Sequence, residues 1–334
     1  MVSAMPAKPR SPLPAPAGDR RRRRPRRSVR RAGAVLWAVL LVLAPAALSG
    51  CSALGAERSG IVVTTNILGD VVRNVVGDQA EVTVLMGPNA DPHSFGVSAR
   101  QAAELQDAEL VVYNGLGLEE GVLRNVEAAE ESGAPALAVA EGVDPIDFSG
   151  GDTAGEPDPH FWTDPVRVER AAGLIAGEVA ESVDGVDAEA VRANAEDYRR
   201  RVDRLHARAE ERFAAIPPER RKLVTDHHVF GYLAQRYGFE VVGAVIPSGT
   251  TLASPSSSDL KSLADAVREA GVPAVFADAS EPDRLARVMA EEAGVDVEVV
   301  PLHSESLTAE GGGAATYLQM ARSNTDDIAD ALSG

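Results

Sequence analysis

The chain has 334 residues, which is enough for two domains of ordinary size. Its formal net charge is −17 at pH 7, although residues 1–50 hold 11 of the 33 basic residues and only one of the 50 acidic ones, so the remainder carries −27. Such an acidic surface argues against nucleic acid and anionic lipid as partners.

The amino terminus has the layout of a secretory signal. Nine arginines lie within residues 20–31, and an apolar stretch follows at 32–48. A basic region, a short apolar core and small residues before the cleavage point are typical of a signal peptide rather than a stable membrane span. The arginine pair Arg30-Arg31 leaves twin-arginine export open beside the general secretory route.

The apolar stretch ends in Leu48-Ser49-Gly50-Cys51, and Cys51 is the only cysteine of the chain. These four residues resemble a bacterial lipobox, in which the cysteine is lipidated and becomes the first residue of the mature protein. A buried free thiol is the alternative. We therefore expect a signal peptide with a lipobox at 1–50 and a tether at 51–59. The mature protein would be exported and held by lipid on Cys51 at the outer face of the cell membrane.

Residues 60–186 alternate short β-branched runs with helical patterns. Strands are predicted at 61–65, 81–85, 110–113 and 136–139, and helices near 67–76, 99–106, 119–132 and 165–183. Strands that alternate with helices of this length indicate βαβ units and a parallel sheet. We expect an amino-terminal α/β lobe whose ligands bind at the carboxyl ends of the strands.

Residues 187–216 show a different pattern, in which apolar positions recur every three or four residues and charged residues fill the other faces. This pattern predicts one long amphipathic helix of about thirty residues. A coiled coil is the alternative. We expect the helix to lie along both lobes, with His206 on its solvated side.

Residues 217–334 repeat the alternation of the first lobe. Strands are predicted at 222–225, 241–245, 274–277 and 297–300, and helices near 229–237, 256–270, 282–293 and 314–332. The fold class is therefore α/β, with two βα lobes of parallel sheets joined by one long helix.

Three of the six histidines lie in settings typical of metal ligands. His93 and His160 each follow an Asp-Pro pair, and His227 follows Asp226. Proline has a fixed φ and biases the residue before it toward extended backbone, so each Asp-Pro-His turn directs its imidazole along a nearly fixed path. Neutral imidazole is a preferred donor for zinc and related ions, so the three together indicate a metal site.

Longer motifs make a resemblance specific. They are Thr65-Asn66-Ile67-Leu68-Gly69-Asp70, Gly87-Pro88-Asn89-Ala90-Asp91-Pro92-His93-Ser94-Phe95, Tyr113-Asn114-Gly115-Leu116-Gly117-Leu118-Glu119, Asp158-Pro159-His160-Phe161-Trp162-Thr163-Asp164-Pro165 and His227-His228-Val229-Phe230-Gly231-Tyr232-Leu233. In this order they resemble the substrate-binding lipoproteins of metal-ion ABC importers that serve zinc and manganese uptake, and most of all the zinc-binding members. The resemblance implies a metal buried in the cleft between the lobes, with two ligands from each.

Carried over to this chain, the resemblance implies that His93 and His160 are the ligands of the first lobe and that His227 and Glu305 are those of the second. Members of the family commonly have an aspartate where Glu305 stands, and zinc accepts either carboxylate. His303, two residues before Glu305, is the alternative fourth ligand.

Further residues beside the ligands are candidates for a supporting role or for the metal itself. Asp91, Asp158 and Asp226 are expected to orient the imidazoles, because ligating histidines usually donate their second N–H to a carboxylate or carbonyl. His228 stands where the family usually has another polar residue.

Three imidazoles and one carboxylate favour Zn(II), carried as a transported ligand rather than a resident cofactor. Manganese(II) or iron(II) is the alternative, since residues 141–159 contain no histidine and lack the His-rich loop of many zinc-binding members. A zinc-dependent hydrolase is less favoured, because no HExxH motif is present, and so is a surface adhesin, because it has no need of three histidines in loops. We therefore expect no enzyme activity, a monomer, an ABC permease as partner and a metallochaperone as a further candidate partner.

Overall fold

The computed structural model describes residues 60–294 and 297–333. The predicted signal peptide, Cys51 and the tether lie outside the described residues. Within the described part, no helix is long and apolar enough to cross a membrane.

The first lobe is a parallel sheet of four strands in the order β2-β1-β3-β4. Its elements are β1 (Ile61–Val63), α1 (Asn66–Val76), β2 (Val82–Val84), α2 (Ala99–Gln106), β3 (Leu110–Tyr113), α3 (Leu123–Glu131), β4 (Ala136–Ala138) and α4 (Pro165–Ser182). The central strands β1 and β3 are covered on both faces. Val62 and Val111 pack into one apolar cluster and Val63 and Val112 into another, which is why these strands read as continuous apolar runs.

One long helix, α5 (Ala188–Ala214), connects the two lobes. The Asp187 carboxylate accepts the N–H groups of Glu189 and Ala190 and so caps the start of α5. The early part of its apolar stripe, including Tyr198, packs into the core of the first lobe, while Phe213 near its end packs into the core of the second. The coiled-coil alternative is therefore wrong, because this stripe is buried within the chain.

The second lobe repeats the topology of the first, with a parallel sheet in the order β6-β5-β7-β8. Its elements are β5 (Lys222–Thr225), α6 (Gly231–Tyr237), β6 (Glu240–Ala244), α7 (Ser257–Ala270), β7 (Ala274–Asp278), α8 (Arg284–Ala293), β8 (Glu298–Leu302) and α9 (Tyr317–Ser333). The α/β prediction with two lobes of parallel sheet is confirmed.

Side-chain hydrogen bonds connect the two lobes. The guanidinium of Arg236 in α6 donates to both oxygens of the Asp164 carboxylate, at 2.8–3.0 Å. The Tyr232 hydroxyl donates to the carbonyl of Asp158 at 2.7 Å, and Trp162 Nε1 donates to the carbonyl of Ser304 at 2.8 Å. These contacts join the segment before α4 to both α6 and the loop after β8.

Some local predictions were wrong, because side chains are used in tertiary contacts. Helix α3 begins at Leu123 and not at residue 119, since the Glu119 carboxylate accepts the backbone N–H groups of Asn114 and Gly115 and closes a turn. His206 is not simply solvated, because its Nδ1 lies 3.0 Å from the hydroxyl oxygen of Tyr237.

Candidate metal centre

Four loops bring His93, His160, His227 and Glu305 together between the lobes. Each of these residues offers one ligand atom, and the four atoms all lie within 4.8 Å of one another. His93 follows β2, His160 precedes α4, His227 follows β5 and Glu305 follows β8, so each lobe supplies two of the side chains. All four are buried, with relative exposures between 0% and 4%.

The spacing of the ligand atoms matches a small tetrahedral site. His227 Nε2 lies 3.1 Å from Glu305 Oε1, and His160 Nε2 lies 3.4 Å from His93 Nε2. The carboxylate of Glu305 lies 3.8 Å from His93 Nε2 and 3.9 Å from His160 Nε2. A tetrahedron with metal–ligand bonds of about 2.0–2.1 Å has edges of about 3.3–3.4 Å. These four separations are within about 0.6 Å of those edges, so the side chains are close to the arrangement that binds one ion.

Within the described part of the chain, three of the atoms that face this centre have no hydrogen-bond partner. His227 Nε2 and both carboxylate oxygens of Glu305 are buried and without a partner. The approach of 3.1 Å between His227 Nε2 and Glu305 Oε1 is an ionic contact that lacks the geometry of a hydrogen bond. A buried polar atom without a partner costs about 1–3 kcal/mol, so three of them around one point indicate a ligand that belongs there.

Carboxylates contact the Nδ1 atoms of two of the imidazoles, on the side of each ring away from the centre. Asp158 Oδ1 lies 2.8 Å from His160 Nδ1 and also accepts the His160 backbone N–H. Asp226 Oδ2 lies 3.2 Å from His227 Nδ1. In both histidines a carboxylate partner at Nδ1 leaves Nε2 to face the centre, as in many protein metal sites. Burial raises the pKa of Asp158 to about 7.

The third imidazole, that of His93, is positioned through its backbone. Asp91 Oδ1 accepts the His93 backbone N–H at 2.9 Å, and Asp91 Oδ2 accepts the hydroxyl of Thr251 from the second lobe at 2.7 Å. In both Asp-Pro-His turns, the aspartate carboxylate accepts the backbone N–H of the histidine and so closes the turn.

Electrostatics prepares two imidazoles for metal binding and leaves the third charged. Burial lowers the pKa of His93 to about 4 and that of His160 to about 3, so both are neutral at pH 7 and present a free lone pair. Burial also acts to lower the pKa of His227, but the carboxylates of Asp226 and Glu305 outweigh it and raise that pKa well above its ordinary value. A metal ion that binds here must displace the proton of His227.

The loop that carries Glu305 depends on a residue that sequence reasoning missed. Asp278, the last residue of β7, accepts through Oδ2 the backbone N–H groups of Ser304 and Glu305 and the hydroxyl of Ser304. Asp278 is itself buried, at 5% exposure. The sequence signal available was an aspartate at the carboxyl end of a buried strand, where the ligands of parallel sheets gather.

The other two predicted candidates do not join the cluster. Both the N–H and the carbonyl of His303 are bound to the side chain of Asn324, and His303 lines a small cavity together with Trp162. His228 packs on the opposite lobe, where a Cβ added to Gly151 would lie 2.6 Å from its Nε2. Of the two candidates for the fourth ligand, only Glu305 faces the centre.

The sequence profile of the family described as zinc-uptake complex component A, periplasmic (ZnuA), matches residues 61–331. The chain belongs to this family. Members are substrate-binding proteins of metal ABC importers and not enzymes, so the hydrolase alternative is wrong and an ABC permease is implied as partner. The predicted membership in this class of importer protein is confirmed.

Relatives that share this fold are named for different metals. The chain is 28% identical over 309 residues to the manganese ABC transporter substrate-binding lipoprotein PsaA of Streptococcus anginosus, covering 90% of this chain and 97% of PsaA. It is 30% identical over 274 residues to the iron-binding protein YfeA of Yersinia pestis, covering 82% of this chain and 86% of YfeA. The solved structure of the periplasmic zinc-binding protein TroA from Treponema pallidum superimposes with a TM-score of 0.75 at 27% identity, covering 83% of this chain and 100% of TroA.

Proposed function

We propose that this protein captures Zn(II) outside the cytoplasm and delivers it to the permease of its importer. The ligands are His93, His160, His227 and Glu305. The observation that carries the proposal is a buried cluster of four ligand atoms within 4.8 Å of one another, in which His227 Nε2 and the Glu305 carboxylate have no hydrogen-bond partner. Three imidazole nitrogens and one carboxylate form a nitrogen-rich, four-coordinate set, which suits zinc better than manganese, calcium or magnesium.

Competition among metals tests the choice of zinc. The protein is dialysed to equilibrium against an equimolar mixture of Zn(II), Mn(II) and Fe(II) without oxygen, and its metal content is measured by elemental analysis. We expect one zinc ion per chain. The His160→Ala variant should lose most of this zinc, whereas the matched His206→Ala and His303→Ala variants should keep it, because neither of those two residues belongs to the cluster. A chain loaded mainly with manganese or iron would contradict the choice of zinc.

Manganese(II) or iron(II) is the second candidate cargo. It is supported by relatives such as PsaA, named for manganese, and YfeA, named for iron. The Glu305 carboxylate has two unpartnered oxygens, and binding through both would give the fifth donor that a larger, oxygen-preferring ion takes. Metal content after the same dialysis distinguishes the two cargoes.

We further propose that the protein is a lipoprotein anchored through Cys51 and divided into the tether (51–59), first lobe (60–186), linking helix (187–216) and second lobe (217–334). Relatives such as PsaA are named lipoproteins, and the Leu-Ser-Gly-Cys sequence supports an anchor. The Cys51→Ser variant should be released from membranes while still binding metal. Equal retention of variant and parent in the membrane fraction would contradict the anchor.

A further inference from the structure

Aromatic rings close one side of the four-residue cluster. The ring of His160 packs edge-on against Phe148 and Trp162, with centroids 6.0 Å and 5.3 Å away. Phe148 comes from a first-lobe loop and reaches the second lobe at Gly249, where an added Cβ would lie 2.2 Å from the ring. Phe148 and Trp162 are 8% and 3% exposed, so an ion does not reach His160 from this side without moving them.

A cavity of about 330 Å³ lies next to the cluster and is lined by both lobes. We call it the acidic vestibule, because its lining includes five carboxylates, those of Asp91, Asp226, Asp278, Glu281 and Asp283. No lysine, arginine or histidine is among its lining residues in the described part of the chain. Leu252, also in the lining, is 53% exposed, so the vestibule opens to solvent.

Residues that line the vestibule also contact three of the four ligands. Asp91 lies two residues before His93 and accepts its backbone N–H. Asp226 precedes His227 and contacts its Nδ1. Asp278 accepts the backbone N–H of Glu305. Three of the four ligands are therefore held by residues that line this cavity, whereas His160 is the ligand covered by aromatic rings.

One carboxylate of the vestibule is left without a partner. Asp278 is bound to the Ser304 loop, Asp283 pairs with Arg287, and Asp91 accepts the hydroxyl of Thr251. In the described part of the chain, the exposed Glu281 side chain makes no hydrogen bond or ion pair. Burial raises its pKa, and the nearby carboxylates of Asp91, Asp278 and Asp226 raise it further, as expected where negative charge is not neutralised.

We propose that the acidic vestibule is the route by which the divalent cation reaches and leaves the buried centre, and that Glu281 at its mouth draws the cation in. This proposal rests on the metal-binding function proposed above. A cleft lined by charge of one sign between walls of low dielectric concentrates ions of the opposite sign and increases their association rate. A change at Glu281 should alter the rate at which the cation enters and leaves without altering the affinity of the centre, because Glu281 is not one of the four ligands.

Charge removal at the mouth gives the first test. Trp162 is the only tryptophan after residue 50 and packs against His160, so its fluorescence reports metal arrival in stopped-flow mixing with Zn(II). Glu281→Gln should lower the association rate constant about two- to fivefold at low salt, and the difference should shrink in high salt. The control is Glu291→Gln, which removes the same charge from the exposed surface of α8 outside the vestibule. Equal slowing by both variants would overturn the route, since net charge alone would then set the rate.

Steric closure gives the second test and does not depend on charge. In a Cys51→Ser background, Glu281→Cys provides the sole cysteine and is labelled with either a bulky maleimide or a small methanethiosulfonate. The bulky label should slow Zn(II) association, and Zn(II) release into excess chelator, by the same factor relative to the small label, so that the dissociation constant is unchanged. Unchanged rates with normal zinc loading would overturn the route alone. An unsubstituted protein that takes up no metal would instead overturn the metal assignment on which the route rests.

Discussion

Replacing Asp278 with alanine tests whether the loop that carries Glu305 is prepared for metal by a single carboxylate. The substitution removes the acceptor of two backbone N–H groups, those of Ser304 and Glu305, at 3.1 Å and 3.3 Å. Both residues are buried, at 1% and 2% exposure. The Ser304 hydroxyl, which donates to the same oxygen at 2.5 Å, loses its acceptor as well.

The magnitude follows from these contacts. Each buried donor left without an acceptor costs about 1–3 kcal/mol, so the two N–H groups give about 2–6 kcal/mol. Water that enters the space left by the carboxylate recovers part of this, and we expect the metal-free protein to lose about 2–4 kcal/mol of unfolding free energy. Loss of a group that orients a metal ligand typically weakens metal binding about 10–100-fold, and we expect zinc affinity to fall within that range.

The assay measures both quantities in the same samples. Urea unfolding of the metal-free protein gives the change in stability, and competition with a chelator gives the zinc affinity. The control is Ser280→Ala, which removes a hydroxyl donor to the other oxygen of Asp278 and leaves the Ser304 and Glu305 contacts in place. If Asp278→Ala loses stability but binds zinc as tightly as the parent, then Asp278 stabilises the fold without positioning Glu305, contrary to this prediction.

Three further predictions concern protons, the lobe contact and zinc itself. Zinc affinity should rise about tenfold per pH unit from about pH 5 to neutrality, because only the His227 proton must leave. The rise should be steeper below about pH 4, where His93 and His160 are also protonated. A threefold steeper slope near pH 6, measured by chelator competition, would contradict this. Arg236→Ala should lower the unfolding free energy by about 1–3 kcal/mol, since it removes the bidentate partner of the buried Asp164 carboxylate, which keeps the Arg167 guanidinium nearby. The exposed control Arg268→Ala should lower the unfolding free energy by less than about 1 kcal/mol. Zinc at a thousandfold excess over its dissociation constant should stabilise the protein by about 4 kcal/mol, visible as a higher melting temperature, and manganese should do so less; equal shifts for both metals would contradict the zinc preference.

The α/β architecture was predictable because its signals are local. Strands buried on both faces read as apolar runs, and the stripe of α5 has a helical period over its whole length, so patterns of a few residues sufficed. Helix starts were less predictable where a side chain serves a distant part of the chain. Helix α9 begins at Tyr317, three residues later than predicted, and the Tyr317 N–H donates to the Asp70 carboxylate of α1.

The candidate site was predictable where a short motif directs a side chain, as in the two Asp-Pro-His turns. The choice between Glu305 and His303 as fourth ligand was less predictable, because the direction of an irregular loop depends on tertiary contacts. There Asn324 of α9 binds the backbone of His303, and Asp278 of β7 binds that of Glu305. Neither partner is near the loop in sequence, so no local pattern distinguishes the two side chains.

We propose that three imidazoles and one carboxylate bind a single ion between the lobes. X-ray absorption at the zinc edge of the protein loaded with one equivalent of Zn(II) tests it most directly. We expect four nitrogen or oxygen donors at about 2.0–2.1 Å with the outer-shell scattering of three imidazoles, and the scattering of two imidazoles in His160→Ala. A first shell of five or six donors, or scattering from fewer than three imidazoles in the unsubstituted protein, would contradict it.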